Sequence, residues 1–337
     1  MEQGDKYMVA VRCMTYNQSL YIEESLHGFT IQETNFPVVY IVVDDASTDG
    51  EQDLLRNWAE MHLCPKEGLL LWETMPYGQL AVAKLKGNDK ATFVFVLLAE
   101  NHTQTGRRNL KSEYVSEWNN AAKYNALCEG DDYWIDPLKL AKQVEILESD
   151  PEIGLCYASA KVYDEDKHSF SKEIKGHKFE TFEQQLMWNY IPTLTVCMRT
   201  DMRLQYDAEK KNWEEAKTWK MGDYPLWLWF CVKSKVSFLN DVVAVYRVSP
   251  GTASRPKTMA GEIAFVESTY SIKMHFAKMA QTDKSLLLKI KSDRDKGLAY
   301  VYINNGDFTN AKIYIKQLPF SCRFRVVLYL IKKRFLG

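Results

Sequence analysis

The sequence predicts an α/β protein with a mostly parallel sheet flanked by helices, and three observations support this fold class. Short apolar runs typical of strands alternate with amphipathic helical patterns over the first 160 residues. These helical patterns are long enough to be the crossover connections that parallel strands need. Residues 258–335 then show helical periodicity, which predicts a C-terminal helical extension.

The beginning of the chain supplies two strand–helix pairs. A buried strand is predicted at residues 7–14 and a helix at 19–29. A second strand at 38–43 begins after Pro37, and a helix follows it from 49 to 58. Each helix therefore brings the chain back so that the next strand can run parallel to the preceding one.

A third pair follows a region that interrupts the alternation. A strand is predicted at 123–128 and a helix at 136–149, with Pro137 in its first turn. Before this pair we expect an insertion at about 62–100, whose three apolar runs form extra strands as a hairpin or an edge meander. The runs are GLLLWE (68–73), LAVAKL (80–85) and TFVFVLLA (92–99).

Beyond residue 160 the periodicity weakens. Strands are predicted at 192–199 and 236–247, with a helix at 224–234 before the second. The C-terminal helices should break at 304–307, where the chain reads NNGD, and at Pro319. The predicted domains are 1–255 and 256–337.

Composition and cysteine usage exclude several classes of protein. Apolar residues make up 46% and charged residues 26% of the 337 residues, as in ordinary soluble proteins. The seven cysteines form no Cys-x-x-Cys pair, so we expect buried thiols in a reducing compartment. The N-terminus lacks the apolar core of a secretory signal, and no apolar stretch approaches the ~18 residues of a membrane span. We therefore expect a cytoplasmic protein.

Several familiar catalytic motifs are missing. The sixteen glycines never occur as Gly-x-Gly, and neither the dinucleotide fingerprint nor the Walker loop is present. There is no Gly-x-Ser-x-Gly elbow, and the six histidines show no metal-ligand spacing.

Polar residues follow three of the predicted strands at the point where each strand ends. Thr15–Asn17 follow the first strand, Asp44 and Asp45 the second, and Asp131 and Asp132 the third. Because ligands of an open α/β sheet bind off the carboxyl ends of its strands, we expect these residues to share one rim. Acids that converge there without a lysine cluster suit a divalent cation, which prefers oxygen ligands. For any single Asp-Asp pair the alternative is a solvated turn or a helix cap.

Three longer segments carry a resemblance to a known family. They are RCMTYNQSLYIEESLHGFTIQ, VVDDASTDG and ALCEGDDYWIDPLKLAKQVEILESDPEIGLCYA. Together they resemble family 2 glycosyltransferases of the GT-A fold, and most of all the bacterial members that build polysaccharides. The likeness covers residues 7 to about 60 and 110 to 160, and it returns at KMGDYPLWLWF and VVAVYRVSPGTAS. It implies a GT-A sheet and a nucleotide-diphosphate sugar as the donor.

The resemblance implies roles for the residues at the strand ends. Asp45 would hydrogen-bond the nucleotide base, and Asp131 would contribute to the nucleotide-sugar site. Asp131 and Asp132 stand in the place of the family's Asp-x-Asp motif, with Asp132 as the direct ligand of Mn²⁺ or Mg²⁺. The residues that would line the nucleotide pocket are Thr15, Tyr16 and Asn17.

Asp223 matches the position of the family's catalytic base. It would take the proton from the acceptor hydroxyl as that oxygen attacks and inverts the anomeric carbon. An aspartate is ionised at pH 7 and can accept this proton as the hydroxyl becomes acidic. The alternative is a helix cap, since Tyr224 and Pro225 begin a predicted helix, and one residue can do both.

The combined prediction is an inverting, metal-assisted glycosyltransferase of the bacterial cell envelope. Its acceptor would be a glycan or a lipid-linked glycan, and no nucleic-acid partner is expected. One alternative is a nucleotidyltransferase on a similar sheet, although MTYNQSL after the first strand has neither the glycine nor the base of a phosphate loop. The other alternative is a non-catalytic sugar- or nucleotide-binding scaffold.

The C-terminal end of the chain is basic. Residues 286–337 contain eleven Lys or Arg and three Asp, a charge of +8, so the other 285 residues carry −9 of the total −1. A basic amphipathic helix at 320–337 predicts peripheral contact with an anionic membrane at the inner face of the cell membrane. Simple packing of this helix is the alternative. Its predicted apolar face comprises Phe324, Val327, Leu328, Ile331 and Phe335, and its bases are Arg323, Arg325, Lys332, Lys333 and Arg334.

Overall fold

The computed structural model describes residues 6–65, 71–249, 256 and 258–335. Its strands are β1 (Tyr7–Thr15), β2 (Val38–Asp44), β3 (Leu63–Cys64), β4 (Trp72–Met75), β5 (Gly78–Leu85), β6 (Asn88–Leu98), β7 (Ala122–Leu127), β8 (Tyr133–Trp134), β9 (Ile153–Asp164), β10 (Ser169–Lys175), β11 (Cys197–Arg199) and β12 (Lys235–Val248). Its α-helices are α1 (Ile22–Thr30), α2 (Glu51–His62), α3 (Arg108–Tyr114), α4 (Ser116–Asn119), α5 (Lys139–Ser149), α6 (Phe182–Met187), α7 (Thr200–Lys210), α8 (Asp223–Lys233), α9 (Met259–Met279), α10 (Lys284–Asn304), α11 (Phe308–Gln317) and α12 (Phe320–Phe335). Two 3₁₀ helices lie at Thr193–Thr195 and Glu214–Thr218.

The strands of the described residues form one sheet. Their order is β3-β5-β6-β2-β1-β7-β11-β9-β12-β8, with β4 paired to β5 and β10 to β9. β6, β2, β1 and β7 run parallel to one another, and β9 runs parallel to β12. The predicted α/β class, with a mostly parallel central sheet flanked by helices, is confirmed.

The core lies on both faces of the central strands. β2 is buried at every position, which explains why its first six residues, VVYIVV, form a continuous apolar run and do not alternate. On one face Phe29 of α1 stacks on Tyr40, with ring centroids 5.3 Å apart, and meets Trp134 of β8 edge-on at 5.2 Å. This aromatic contact fixes α1 beside β8, where the candidate site lies.

One predicted strand occupies a different place in the sheet. The sequence predicts the run at 92–99 as part of an edge insertion, but β6 pairs in parallel with β2 from Val38–Ala91 to Asp44–Leu97. Its apolar run is buried without interruption, as expected for an interior strand covered on both faces. The antiparallel pairing expected of a hairpin or a meander is present, because β4 pairs with β5 and β5 pairs with β6. The start of the first predicted run, 68–70, lies outside the described residues.

The predicted strand at 192–199 is shortened at its beginning. A 3₁₀ turn starts at Pro192, whose carbonyl accepts hydrogen bonds from the backbone N–H of Thr195 at 3.0 Å and from its hydroxyl at 2.9 Å. The part of the predicted strand that pairs in the sheet is β11. The local turn therefore takes the residues that the apolar pattern assigned to a strand.

The C-terminal helices follow the predicted breaks and add one. α10 ends at Asn304 and α11 begins at Phe308, while α12 begins directly after Pro319. A further break separates α9 from α10, where Gln281 has a φ of 53° and the Asp283 side chain accepts the N–H of Leu286 at 2.8 Å. No helix in the described part of the chain is long and apolar enough to cross a membrane.

The chain divides into two compact units. The first comprises Met1–Lys178, Tyr190–Gln205 and Ser234–Val248 and contains the sheet. The predicted domain boundary at 255 stays a prediction, and residues 250–255 lie outside the described part. The second unit comprises Phe179–Asn189, Tyr206–Lys233 and Ser249–Gly337.

Candidate functional site

The carboxyl ends of β1, β2 and β7 meet at one edge of the sheet. Thr15 at the end of β1 lies in register with Asp44 at the end of β2. The N–H of Asp45 donates to the carbonyl of Thr15 at 3.0 Å, and the N–H of Gly130 donates to that of Met14 at 3.2 Å. The three polar segments that were predicted to share a rim are therefore neighbours.

Gly130 allows the loop after β7 to approach the loop after β1. A Cβ atom at this position would lie 2.5 Å from Thr15 Oγ1 and 2.5 Å from Gln18 Oε1. Both contacts are far shorter than a van der Waals contact, so a side chain here would force the loops apart. The glycine of the EGDDYW motif is thus required by packing.

A buried glutamate anchors the loop after β1. Glu51, the first residue of α2, is fully buried and accepts hydrogen bonds from the hydroxyl of Thr15, from Gln18 N–H at 2.8 Å and from the hydroxyl of Ser47 at 2.9 Å. Burial raises the pKa of Glu51, while these hydrogen bonds act in the opposite direction. Glu51 was not among the predicted site residues, although its position at the start of a helix favours a carboxylate.

The three residues predicted for the nucleotide pocket have different surroundings. Thr15 is buried and bonded to Glu51, and Asn17 adopts a φ of 54° while its side-chain oxygen accepts the N–H of Thr48 at 2.8 Å. These two side chains shape the loop. Tyr16 is exposed, and its hydroxyl lies 3.3 Å from Nε2 of Gln104. Of the three residues Tyr16 is the aromatic one, and its side chain is partly exposed.

Asp45 organises the segment that follows β6. Its Oδ1 accepts the N–H of His102 at 2.7 Å, and its Oδ2 accepts from the Thr103 hydroxyl at 2.6 Å and from Lys111 Nζ at 2.7 Å. Burial opposes the charge, but the hydrogen bonds from Lys111, Thr103 and His102 outweigh it and lower the pKa of Asp45. Asp45 is therefore an ionised residue that holds Lys111 at the rim.

Three carboxylates converge at the end of β7. Oxygen atoms of Glu129, Asp131 and Asp132 lie within 4.8 Å of one another. Asp132 is buried, and its backbone carbonyl accepts the hydroxyl of Ser25 in α1 at 2.6 Å. Asp131 is half-buried and Glu129 is exposed, so the cluster opens toward solvent. The pair was predicted, whereas Glu129 was missed although it precedes the pair in EGDDYW.

The electrostatics of this cluster favour a bound cation. Burial raises the pKa of Asp132 well above its ordinary value, and the neighbouring Asp131 raises it further. Burial also raises the pKa of Asp131, against the opposing effect of Arg247. Three carboxylate oxygens within 4.8 Å of one another are a donor set that Mn²⁺ or Mg²⁺ prefers. The residues present therefore fit the predicted metal.

Arg247 of β12 completes the frame around the acidic pair. Its backbone N–H donates to Asp132 Oδ1 at 2.8 Å, and its Nε donates to the carbonyl of Asp131 at 2.8 Å. Its two remaining nitrogens pair with Glu24 of α1 and Glu165 after β9. This single residue orients Asp132 and joins three elements of the sheet unit. It lies in the VYR segment of the resemblance but was not predicted as a site residue.

Asp223 belongs to the second compact unit. It is the first residue of α8, and its Oδ1 accepts the N–H of Tyr224 at 2.7 Å. A carboxylate in the first turn of a helix interacts favourably with the helix dipole. Asp223 thus lies inside the first turn, whereas a capping residue lies just before it. The roles as a base and as a helix cap both stay predictions.

Comparison with known proteins identifies the fold. No family model matches the chain. The Staphylococcus aureus protein TarS in complex with UDP-GlcNAc aligns over 97% of this chain and 81% of its own, with a TM-score of 0.52 and 14% identity. The mannosyltransferase PcManGT from Pyrobaculum calidifontis, in complex with GDP-Man and Mn²⁺, aligns over 97% of this chain and 86% of its own, with a TM-score of 0.51 and 17% identity. The chain therefore has the GT-A fold that the resemblance implied.

Relatives found by sequence share 23% to 31% identity with this chain. An uncharacterised protein of Mycobacterium tuberculosis is 31% identical over 244 residues, which is 71% of this chain and 58% of that protein. The chain thus spans little more than half the length of this relative. The putative teichuronic acid biosynthesis glycosyltransferase TuaG of Bacillus subtilis is 23% identical over 274 residues, or 81% of this chain and 92% of TuaG.

Proposed function

We propose that the chain is an inverting glycosyltransferase that uses a nucleotide-diphosphate sugar and a divalent cation. The observation that carries this proposal is the cluster of Glu129, Asp131 and Asp132 beside the loop after β1, in a GT-A fold. TarS was solved with UDP-GlcNAc, and PcManGT was solved with GDP-Man and Mn²⁺. These complexes support a nucleotide sugar as the donor here. The acceptor is a glycan or a lipid-linked glycan of the bacterial envelope.

Each of four residues at the rim would contact a different part of the donor or its metal ion. Asp132 is the metal ligand, and Asp131 contributes to the nucleotide-sugar site. When bound, Mn²⁺ or Mg²⁺ would neutralise negative charge on the diphosphate and on the departing nucleotide. Tyr16 offers its exposed ring to the base. Asp45 Oδ1 accepts the N–H of His102, and a carboxylate oxygen can accept a second hydrogen bond, here from a base N–H.

The transfer step needs a proton acceptor, and we assign this role to Asp223. It takes the proton of the acceptor hydroxyl while that oxygen forms the new bond to the anomeric carbon and the nucleotide diphosphate leaves. Attack from the side opposite the leaving group inverts the anomeric carbon. A cytoplasmic location, peripheral on the inner face of the membrane, would bring the site to a lipid-linked acceptor.

The proposal is tested by removing one negative charge from the cluster. Asp132→Asn keeps an oxygen for the N–H of Arg247 but loses the carboxylate. Mutating a residue that merely hydrogen-bonds a metal-coordinating side chain typically weakens metal binding ~10- to 10²-fold. Asp132→Asn changes the proposed coordinating residue itself, so Mn²⁺-dependent binding of UDP or GDP should weaken by ~10²-fold or more. Isothermal titration with and without Mn²⁺ measures this change. Asp89→Asn, at an exposed position near the start of β6, is the matched control.

Two outcomes would contradict the proposal. Unchanged affinity of Asp132→Asn for nucleotide plus Mn²⁺ would remove the metal from this site. Tight, metal-dependent binding without hydrolysis or transfer of any sugar in a panel of nucleotide sugars would instead leave a scaffold that binds nucleotide.

A further inference from the structure

Helix α12 packs against its own unit through the face that contains Val326 and Leu330. Val326 and Leu330 are buried among apolar residues of α10 and α11. Tyr329 on the same side donates its hydroxyl to Asn304 Oδ1 at 2.7 Å. The packed face of the helix therefore leaves out four large apolar residues, which are exposed: Phe320, Phe324, Leu328 and Ile331.

A stripe of large apolar side chains runs along the opposite face. Phe320 is 85% exposed, Phe324 62%, Leu328 49% and Ile331 45%. At ~100° per residue these four lie within an arc of ~80°. Single exposed apolar residues are common on soluble proteins, but four in one line form a contiguous patch of the kind that marks an interaction surface.

Basic residues border this stripe on both sides. The same helical geometry places Arg325 and Lys332 next to Leu328, and Arg334 on the other flank beyond Phe320. Arg334 also lies over the ring of Phe308, 5.8 Å from its centroid. Residues 320–335 contain no acid, so nothing within the helix offsets these charges.

We propose that the stripe of Phe320, Phe324, Leu328 and Ile331 inserts into the surface of an anionic lipid bilayer. An apolar stripe bordered by Lys and Arg matches the boundary between acyl chains and negatively charged headgroups. A second copy of this chain is the poorer occupant, because a two-fold contact would bring the same bases of both copies together. The inference specifies the membrane location proposed above and does not depend on glycosyl transfer.

The surface differs in part from the one that the sequence predicts. The predicted face contains Phe324, Leu328 and Ile331, and these three are exposed as a lipid contact requires. Val327 instead turns toward the packed side and contacts the core of α10 and α11. Phe320, at the start of the helix, replaces it in the stripe. The side chain of Phe335 lies outside the described residues.

The apolar stripe is tested by vesicle co-sedimentation of the full chain. We expect binding to vesicles of phosphatidylglycerol and phosphatidylcholine, weakened by salt, and little binding to phosphatidylcholine alone. Phe324→Ser with Leu328→Ser should weaken this binding ~tenfold or more, because two apolar side chains leave the bilayer. The matched control is Leu288→Ser with Ile313→Ser, at residues 67% and 51% exposed outside the stripe, which should bind as the unchanged protein does.

The bordering charges are tested separately. Arg325→Gln with Lys332→Gln should weaken binding roughly 30-fold, since each base contributes roughly fivefold near anionic lipid. The control is Lys291→Gln with Lys312→Gln, which removes two exposed charges from α10 and α11. Equal losses in both pairs would show that only net charge matters and would overturn the assigned surface.

Two other results would overturn the proposal. One is an absence of vesicle binding at low salt. The other is self-association in analytical ultracentrifugation that Phe324→Ser with Leu328→Ser abolishes, since the stripe would then be covered by a second copy. Nucleotide binding with Mn²⁺, measured on the same variants, stays unchanged, so failure of this proposal is distinguishable from failure of the proposed activity.

Discussion

Asp223 is the residue whose role depends most on experiment, because its helix-terminal position explains its presence without catalysis. Asp223→Asn keeps an oxygen for the N–H of Tyr224 but cannot accept a proton. We expect nucleotide binding with Mn²⁺ to persist and transfer to fall ~10²–10⁴-fold. Asp201→Asn is a matched control, because Asp201 accepts the N–H of Met202 at 2.7 Å in the first turn of α7. Similar turnover in the two variants would reduce Asp223 to a helix-terminal acid.

Lys139 places a charge in the interior of the first unit. It is fully buried, its Nζ donates to Gln143 Oε1 at 2.8 Å, and it lies 4.0 Å from the ring centroid of Trp134. Burial lowers its pKa from 10.5 to about 8. Below pH 8 the folded chain must therefore hold an ammonium in an apolar site, which destabilises it by about 3 kcal/mol.

Lys139→Met should thus raise the free energy of unfolding at pH 7. Between pH 8 and 10.5 the unfolded chain keeps the lysine proton that the folded chain has lost, so the stability contributed by this group rises with pH. The advantage of the Met variant should accordingly shrink across this window. Urea unfolding at several pH values measures the difference in free energy of unfolding between the variant and the unchanged protein. For Lys291→Met, at an exposed site, this difference should not change with pH. If the difference for Lys139→Met also does not change with pH, the pKa of Lys139 is not lowered in the folded chain.

At the scale of elements, the contact of α1 with β8 supports the acidic cluster that we propose as the metal site. Gly28 of α1 lies so close to β8 that a Cβ would be 2.8 Å from Trp134 N and 2.9 Å from Trp134 O. Gly28→Ala should gain up to ~1 kcal/mol in helix propensity. The added Cβ would push α1 away from the backbone of Trp134, which should cost ~1–3 kcal/mol. The net effect should be destabilising, and Mn²⁺ should bind more weakly because Ser25 of α1 bonds the carbonyl of Asp132.

Thermal unfolding and Mn²⁺ titration of Gly28→Ala test this contact. Gly222→Ala is the control, since no described residue other than its two chain neighbours has a heavy atom within 4 Å of the added Cβ. An unchanged melting temperature for Gly28→Ala would mean that α1 has room to move away from β8.

For the whole molecule, the division at residue 255 has a direct test. In the second unit α9 packs on α6 and α8, and its Lys273 Nζ donates to the carbonyl of Met187 at 3.0 Å. A fragment of residues 1–255 keeps α6 and α8 but loses α9. We expect it to unfold at a lower temperature and to bind a hydrophobic dye, because apolar surface under α9 becomes exposed. A fragment as stable as the full chain would support domains 1–255 and 256–337.

The sequence by itself determined the α/β class, the parallel central strands, the breaks near 304–307 and Pro319, and the acidic pair at the end of β7. These features follow from hydrophobic period, helix-breaking residues and position along a strand, which are local properties. Only the tertiary structure decided that β6 is interior, that Glu129 joins the pair, and that Arg247 reaches Asp132 from 115 residues further along the chain. It also decided which face of α12 packs. Such contacts depend on how distant elements stack, and no local pattern encodes the stacking.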